Sequence, residues 1–200
     1  MENLTLEEKI SQFNEFFTIK HPISVNAIQQ SDDFVLPDEK ALSEHMPYAF
    51  RIASDIANIE AKSLRSLRNL SDHAAELAEF LNHQSHKIDL IMSYVLKQED
   101  DPEYQFQGVA FGGSGVTIQS PNEFTIGATC ELKLFLDTEA SAIFCYGEVI
   151  KCEQKETAAD NNDNEYITSF IYTAIREQDQ ELLVRASLHL QSQQLRKTSK

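Results

Sequence analysis

The sequence predicts an α+β protein in which a long N-terminal coiled-coil helix precedes a small antiparallel β-barrel or sandwich closed by a C-terminal helix. Three observations predict it. An apolar repeat of 3.5 residues runs from Leu42 to Val95; apolar and polar residues alternate from Tyr104 onward; and helical spacing returns over 177–195. Each period reports a different backbone, because side chains share a face every three or four residues on a helix and every second residue on a strand.

The chain of 200 residues, with 42% hydrophobic residues, is long enough for one ordinary domain or two small ones. At its start, Thr5 followed by Glu8 has the spacing of a capping box. Leu6, Ile10, Phe13 and Phe17 fall on one face behind it, which predicts a helix over 5–20 ended by His21-Pro22. Residues 21–37 read as an extended linker with some strand character at Ile23–Ile28. Pro37 and Pro47 suit first-turn positions, so a short helix is expected over 38–46.

From Leu42, positions spaced alternately by four and three residues are Leu42, Met46, Ala49, Ala53, Ile56, Glu60, Ser63, Leu67, Leu70, Ala74, Leu77, Leu81, Gln84, Ile88, Ile91 and Val95. Thirteen of these sixteen are apolar, with neither Gly nor Pro after position 47, which is the pattern of a coiled coil. A continuous helix of ~50 residues would be roughly 75 Å long and could not lie on the core of a small domain. The seam expected to join copies of the chain is Leu67, Leu70, Ala74, Leu77, Leu81, Ile88, Ile91 and Val95. Its flanks are apolar as well (Ile52, Ile59, Phe80 and Tyr94 on one side, Phe50, Ala57, Leu64, Ala78 and Met92 on the other). A two-stranded coil leaves such flanks charged, so three or four helices around the axis are expected, and a homotetramer is the preferred reading.

In the strand half, Tyr104, Phe106 and Gly108 alternate before Gly112-Gly113-Ser114-Gly115, and Val116–Ile118 resumes a strand that turns at Ser120-Pro121-Asn122. Cys130, Leu132, Leu134 and Leu136 alternate with Glu131, Lys133 and Phe135; Ile143, Cys145, Gly147 and Val149 do the same; Thr157–Asn164 reads as a polar loop before a strand at Tyr166–Thr173. Leu182, Leu183, Ala186 and Leu190 give the closing helix an apolar face, followed by the basic tail Arg196-Lys197-Thr198-Ser199-Lys200. The domains expected are therefore an N-terminal helix and linker (1–37), the oligomerising coiled-coil helix (38–101), and the barrel with its closing helix (102–200).

Composition excludes several functions. Seventeen Lys+Arg against 32 Asp+Glu give a net charge of −15 and a pI near 4.7. A nucleic-acid binder needs clustered positive charge, and an anionic membrane surface would repel this chain. No apolar run approaches the ~20 residues that span a bilayer. The opening Met1-Glu2-Asn3-Leu4 lacks the basic and apolar regions of a signal peptide. Three cysteines are an odd number and too few for a disulfide scaffold, so a cytoplasmic, reduced protein is expected.

Enzymatic motifs are missing: there is no Gly-x-Ser-x-Gly elbow, Walker loop or Gly-x-Gly-x-x-Gly. His83 and His86 lack a carboxylate or thiol at metal-ligand spacing and read as solvated, so neither a metal nor a catalytic residue is expected. Cys130 and Cys145 fall on the inward alternation, leaving Cys152 as the candidate reactive thiol. Phe111 and Phe135 fall on outward positions, where large apolar side chains mark a contact surface for a protein partner or pack under a helix.

The strand half, about 104–190, resembles the PilZ domain family. The resemblance rests on Gly112-Gly113-Ser114-Gly115-Val116-Thr117-Ile118, then Phe124-Thr125-Ile126-Gly127 leading into Cys130–Leu136, the core Tyr146-Gly147-Glu148-Val149, and Tyr166-Ile167-Thr168-Ser169-Phe170 before a helix with paired leucines. It implies a six-stranded antiparallel barrel, in a family that serves mostly as bacterial receptors for cyclic di-GMP. Such receptors hold the nucleotide with an Arg-x-x-x-Arg pair before the first strand and an (Asp/Asn)-x-Ser-x-x-Gly motif on the barrel. Arginine planes stack on guanines and neutralise phosphates, and the acid or amide reads the guanine edge. Here, aligning Gly115 with the final motif glycine places Ala110 at the Asp/Asn position and Gly112 at the Ser position. Residues 97–106, taken as the approach to the first strand, hold no arginine and four acids, Glu99, Asp100, Asp101 and Glu103. The degenerate loop Ala110, Gly112, Gly113, Ser114 and Gly115 is therefore not expected to bind cyclic di-GMP, and no cofactor is expected. The preferred reading is a non-catalytic adaptor in cyclic di-GMP-related or motility signalling, oligomerised by its coiled coil and contacting a protein partner. The alternatives are a genuine cyclic di-GMP receptor and a coiled-coil structural protein capped by a barrel.

Overall fold

The computed structural model describes residues 4–67, 75–155 and 165–198. The chain enters through α1 (Leu6–Glu15), whose capping box is complete: Thr5 Oγ1 accepts from the Glu8 amide at 3.3 Å, and Glu8 Oε2 accepts from the Thr5 amide at 2.7 Å. It stops at Glu15, short of the expected residue 20, because β1 (Thr18–Gln29) has already begun. The expected linker thus contains the first barrel strand. Ile19, Val25 and Ala27 line the interior, and the register slips between Lys20 and Ile23, across His21-Pro22. Proline has no amide to give a ladder, so the strand carries it in a bulge.

Between β1 and the next strand lie three helices, α2 (Glu39–His45), α3 (Tyr48–Leu67) and α4 (Ala75–Lys97). This corrects the single coiled-coil helix over 38–101. On one continuous helix Phe50 and Met92 would be roughly 63 Å apart. Instead Leu42, Met46, Ala49, Phe50 and Ala53 share a buried cluster with Met92 and Leu96, so α3 leads away from the barrel and α4 returns to it. The expected polar loop at 157–164 lies outside the described residues.

The remaining strands are β2 (Gln105–Gly112), β3 (Gly115–Ser120), β4 (Thr129–Leu136), β5 (Ser141–Gln154) and β6 (Tyr166–Ala174), followed by α5 (Glu177–Thr198). All pairs are antiparallel, and the six strands close in the order β1-β2-β3-β6-β5-β4. The helical insertion therefore joins two neighbouring strands, and the division at residue 102 cuts through the barrel. Inside, Val25, Phe111, Val116, Ile118, Cys130, Leu132, Leu134, Ile143, Cys145, Val149 and Phe170 are fully buried, and Leu183, Ala186 and Leu190 of α5 cover them.

A second apolar layer lies on the outside of β4 and β5. Phe135, Ala142, Phe144 and Tyr146 alternate with the interior residues and receive α2, α3 and α4. Phe50 meets Phe135 edge-on, with ring centroids 5.8 Å apart, and Phe34 packs on Tyr146 at 4.9 Å. A polar clasp ties the end of α4 to the barrel. Asp100 accepts from Ser24 Oγ (2.9 Å), Asn26 Nδ2 (2.8 Å) and Gln105 Nε2 (2.6 Å), while Asn26, almost fully buried, accepts from the Asp101 amide at 3.0 Å.

Candidate functional site

Two places emerge from the sequence as candidate sites, the glycine-rich hairpin and the apolar seam of the helical insertion. Gly113 and Ser114 turn β2 into β3, and the whole tip from Phe111 to Val116 is buried. Its glycines are demanded by close approach. A methyl group on Gly112 would collide with the Phe17 carbonyl, and one on Gly115 with the Phe170 carbonyl and the Phe13 ring. One on Gly113 would come within 2.6 Å of Val184 Cγ2. The tip's polar groups are also engaged: the Gly113 carbonyl accepts from Gln180 Nε2 at 2.9 Å, the Ser114 carbonyl from the Tyr172 amide at 2.9 Å, and Ser114 Oγ donates to the Phe13 carbonyl at 3.4 Å. Helices α1 and α5 thus grip the loop from two sides. Ala110, at the motif's acid or amide position, is half-buried between Lys20 and Thr117 in the ladder.

With β1 beginning at Thr18, the segment before the first strand is 4–17 and not 97–106. It holds no arginine. Its one cation, Lys9, sits on Glu148 of β5 at 2.6 Å.

Phe111 and Phe135 are corrected as contact residues. Phe111 is fully buried inside the barrel, because the register slip between Gly108 and Ala110 shifts its alternation. Phe135 points outward but lies beneath Phe50 of α3.

The expected seam divides. Upstream of it, the first members of the heptad repeat, Leu42, Met46, Ala49 and Ala53, pack in the cluster on the barrel. Leu70 and Ala74 lie outside the described residues, as does the side chain of Leu67. Along α4 the outer face carries Leu77 (53% exposed), Phe80 (56%), Leu81 (38%), Ile88 (42%), Ile91 (63%) and Tyr94 (68%), while Met92 and Leu96 turn inward and Val95 is half-buried against them. The stripe runs over about five turns of the helix, and water is a poor covering for it.

Among the described residues no group of three His, Cys, Asp or Glu converges as for a metal, and no helix is long and apolar enough to cross a membrane. Burial pushes the Cys130 thiol up to about 12 and that of Cys145 well above its ordinary value, so both sit as packed hydrophobes. Cys152, half-buried, accepts from Thr168 Oγ1 at 3.4 Å. A cleft of about 180 Å³ beside the clasp is lined by Ser24, Ser93, Lys97, Asp100, Gln105 and Asp137, but Asp100 is committed to the clasp.

A closed six-stranded antiparallel barrel, capped by a C-terminal helix and interrupted after its first strand by a helical hairpin, defines the class. The fold is PilZ-like. A tetrameric PilZ domain from Xanthomonas campestris, described as self-assembled via an unusual helical bundle, matches with a TM-score of 0.53 at 13% identity, over 93% of this chain and 96% of that one. MrkH from Klebsiella pneumoniae matches at 0.42 and 18% identity over 47% of this chain and 42% of that one. The Bacillus subtilis inhibitor of motility MotI/DgrA matches at 0.37 and 16% identity over 46% and 45%. No family model matches the sequence, and no curated protein does.

Proposed function

We propose that this protein is a non-catalytic, cytoplasmic PilZ-like adaptor in cyclic di-GMP-related or motility signalling. It assembles with itself through α4, as a homotetramer, and presents several barrels to a protein partner. The apolar outer face of α4 carries the reading. Six side chains, each roughly half exposed, amount to about 5–9 kcal/mol of burial per chain, at ~1.5–3 kcal/mol for each full side chain. That is the scale needed to overcome the freedom lost on association, about 4–15 kcal/mol. The Xanthomonas protein, which matches over nearly the whole of both chains and is described as self-assembled via a helical bundle, supports the same use of the insertion. The gripped hairpin, the missing arginines and the engaged Lys9 support an adaptor that does not hold cyclic di-GMP in the usual manner.

Light scattering of the intact protein tests the assembly. Four chain masses are expected, and Ile88→Asp with Ile91→Asp should break that assembly while the separated chain keeps the far-ultraviolet circular dichroism of the fold, since neither side chain is buried within one chain. A wild-type mass of one chain, 22.7 kDa, overturns the reading. Calorimetric titration with cyclic di-GMP should show a dissociation constant above roughly 100 μM, less than ~5.5 kcal/mol of binding. Saturable low-micromolar binding would replace the adaptor with a receptor.

A further inference from the structure

Helix α1 crosses the outside of the barrel over a row of three residues, Gly115, Ile171 and Glu148, that stand side by side on β3, β6 and β5. Ile171 and Glu148 alternate with the interior residues Phe170 and Val149 and so face outward. At one end of the row, the bare Gly115 leaves room for the Phe13 ring, which lies 2.6 Å from where a methyl group there would stand. At the other end, two strand spacings or about 10 Å away, both Glu148 oxygens accept from Lys9 Nζ, at 2.6 and 2.7 Å. Ile171 lies between them, only 5% exposed although it faces away from the core. Lys9 and Phe13 are four residues apart and share one face of the helix. The row thus forms a groove that reads a helix by its cation, its aromatic ring and the spacing between them.

What holds α1 in the groove is slight. Of its ten residues none is fully buried, and only Lys9, Ile10 and Phe13 are half-buried. The capping box supports the helix from within its own first turn, without help from the barrel. At its end Phe16 is extended and exposed, and the chain is gripped at Phe17, whose carbonyl lies against Gly112. A segment with so few buried apolar contacts opens at a lower free energy than the whole fold. Its departure leaves the Glu148 carboxylate without its cation beside an apolar floor, Ile171.

We propose that α1 is a detachable occupant of a helix-docking groove, and that the protein partner enters this groove with a helix carrying a basic residue four positions before an aromatic one. The inference rests on the adaptor reading and names where the partner sits. Because α1 is tethered beside its groove, at an effective concentration on the order of millimolar, a partner helix enters only by outcompeting it. The tether thereby sets a threshold for partner binding.

Synthetic peptides of residues 4–17 stand in for the partner helix, carry a fluorophore, and are titrated by anisotropy into the full chain. In the Lys9→Glu chain the internal helix is repelled by Glu148, and the native peptide should bind about tenfold more tightly than it binds the wild type. A peptide with Phe13→Ser should lose most of that binding. In the Glu148→Lys chain the preference should reverse, the peptide carrying Lys9→Glu binding about tenfold more tightly than the native one. No reversal between the two chains, or no binding by either peptide, overturns the groove. Either result leaves the adaptor reading to be judged separately by the cyclic di-GMP titration and the mass. Hydrogen exchange of the wild-type protein tests detachment without a variant. Amides of α1 should exchange about a hundredfold faster than those of β6, and faster still at high salt, which screens Lys9 from Glu148. Protection of α1 equal to that of β6 overturns the proposal.

Discussion

Adding a single methyl group at each glycine of the hairpin distinguishes a loop built for packing from one built for a ligand. At Gly113 the new carbon meets only the end of the Val184 side chain, at 2.6 Å, about 1 Å inside ordinary contact. Helix α5 must shift or Val184 must rotate, an overpacking cost of about 1–3 kcal/mol. At Gly112 and Gly115 the obstacles are the carbonyls of Phe17 and Phe170, which cannot rotate away without breaking the β1–β2 and β3–β6 pairing. Both substitutions should cost more than Gly113→Ala, at the upper end of that range or beyond it. For a chain of this size each kcal/mol is worth ~2–4 °C of melting temperature, so Gly113→Ala should lower it by several degrees and the other two by ten or more. The decisive measurement is the double variant Gly113→Ala/Val184→Ala, whose shorter side chain vacates the contested space. It should be more stable than the sum of the single effects, with a coupling of about 1 kcal/mol or more in chemical denaturation. Additive effects, or a Gly113→Ala as damaging as Gly115→Ala, would refute the account of the loop as a structure gripped by α1 and α5.

Asp100→Ala removes the acceptor for Ser24, Asn26 and Gln105 and leaves the buried Asn26 amide with the Asp101 carbonyl alone, at 3.1 Å. It should cost about 2–3 kcal/mol and speed hydrogen exchange at the end of α4, and unchanged exchange there would count against the clasp. Glu131 is held above its ordinary carboxyl range chiefly by burial, against the opposing pull of Lys133 and His45. A folded-state value above the unfolded one means that the native protein binds the proton more tightly, so this group's contribution to stability declines as pH rises from its ordinary value of 4.5 through the raised one. Glu131→Gln should accordingly stabilise the protein at neutral pH and flatten that decline, as followed by denaturation at a series of pH values.

Period-two alternation located five of the six strands because one face of each is sealed inside the barrel. Cys130, Leu132, Leu134, Ile143, Cys145 and Val149 are all fully buried, as their alternation requires. The sixth strand was obscured by Pro22, which usually ends strands and here occupies a bulge. The outer layer did leave a mark. In Phe135, Phe144 and Tyr146 the positions between the inward residues are also large and apolar, and a strand apolar on both faces needs a covering on each. That signal, together with Phe111 being drawn inside by a slip in β2, is where reading alternation residue by residue misassigned the contact surface.

The helical insertion shows what a heptad repeat can and cannot specify. Spacing of 3.5 residues records that a helix offers an apolar stripe, but carries no record of direction. A helix that turns back and continues the repeat in phase is indistinguishable from one that runs on. What separates the two is the composition of the stripe's surroundings. A long helix passing through solvent needs its apolar flanks buried by other chains over its whole length, and that requirement made a bundle of several copies the economical reading. In the folded chain the requirement is met in two ways. Phe50 and Ala53 are covered by the barrel's own Phe135 and Phe144, together with Met92 and Leu96 of the returning helix. Among the described residues, the outer face of α4 from Leu77 to Tyr94 stays exposed, the face by which the proposed assembly would join another copy. The apolar area attributed to intermolecular contact is therefore smaller than the sequence implies, and it is concentrated on one helix held at a defined angle to the barrel by the Asp100 clasp. If copies assemble through α4 as proposed, a contact of that size and placement should respond to substitutions at Ile88 and Ile91.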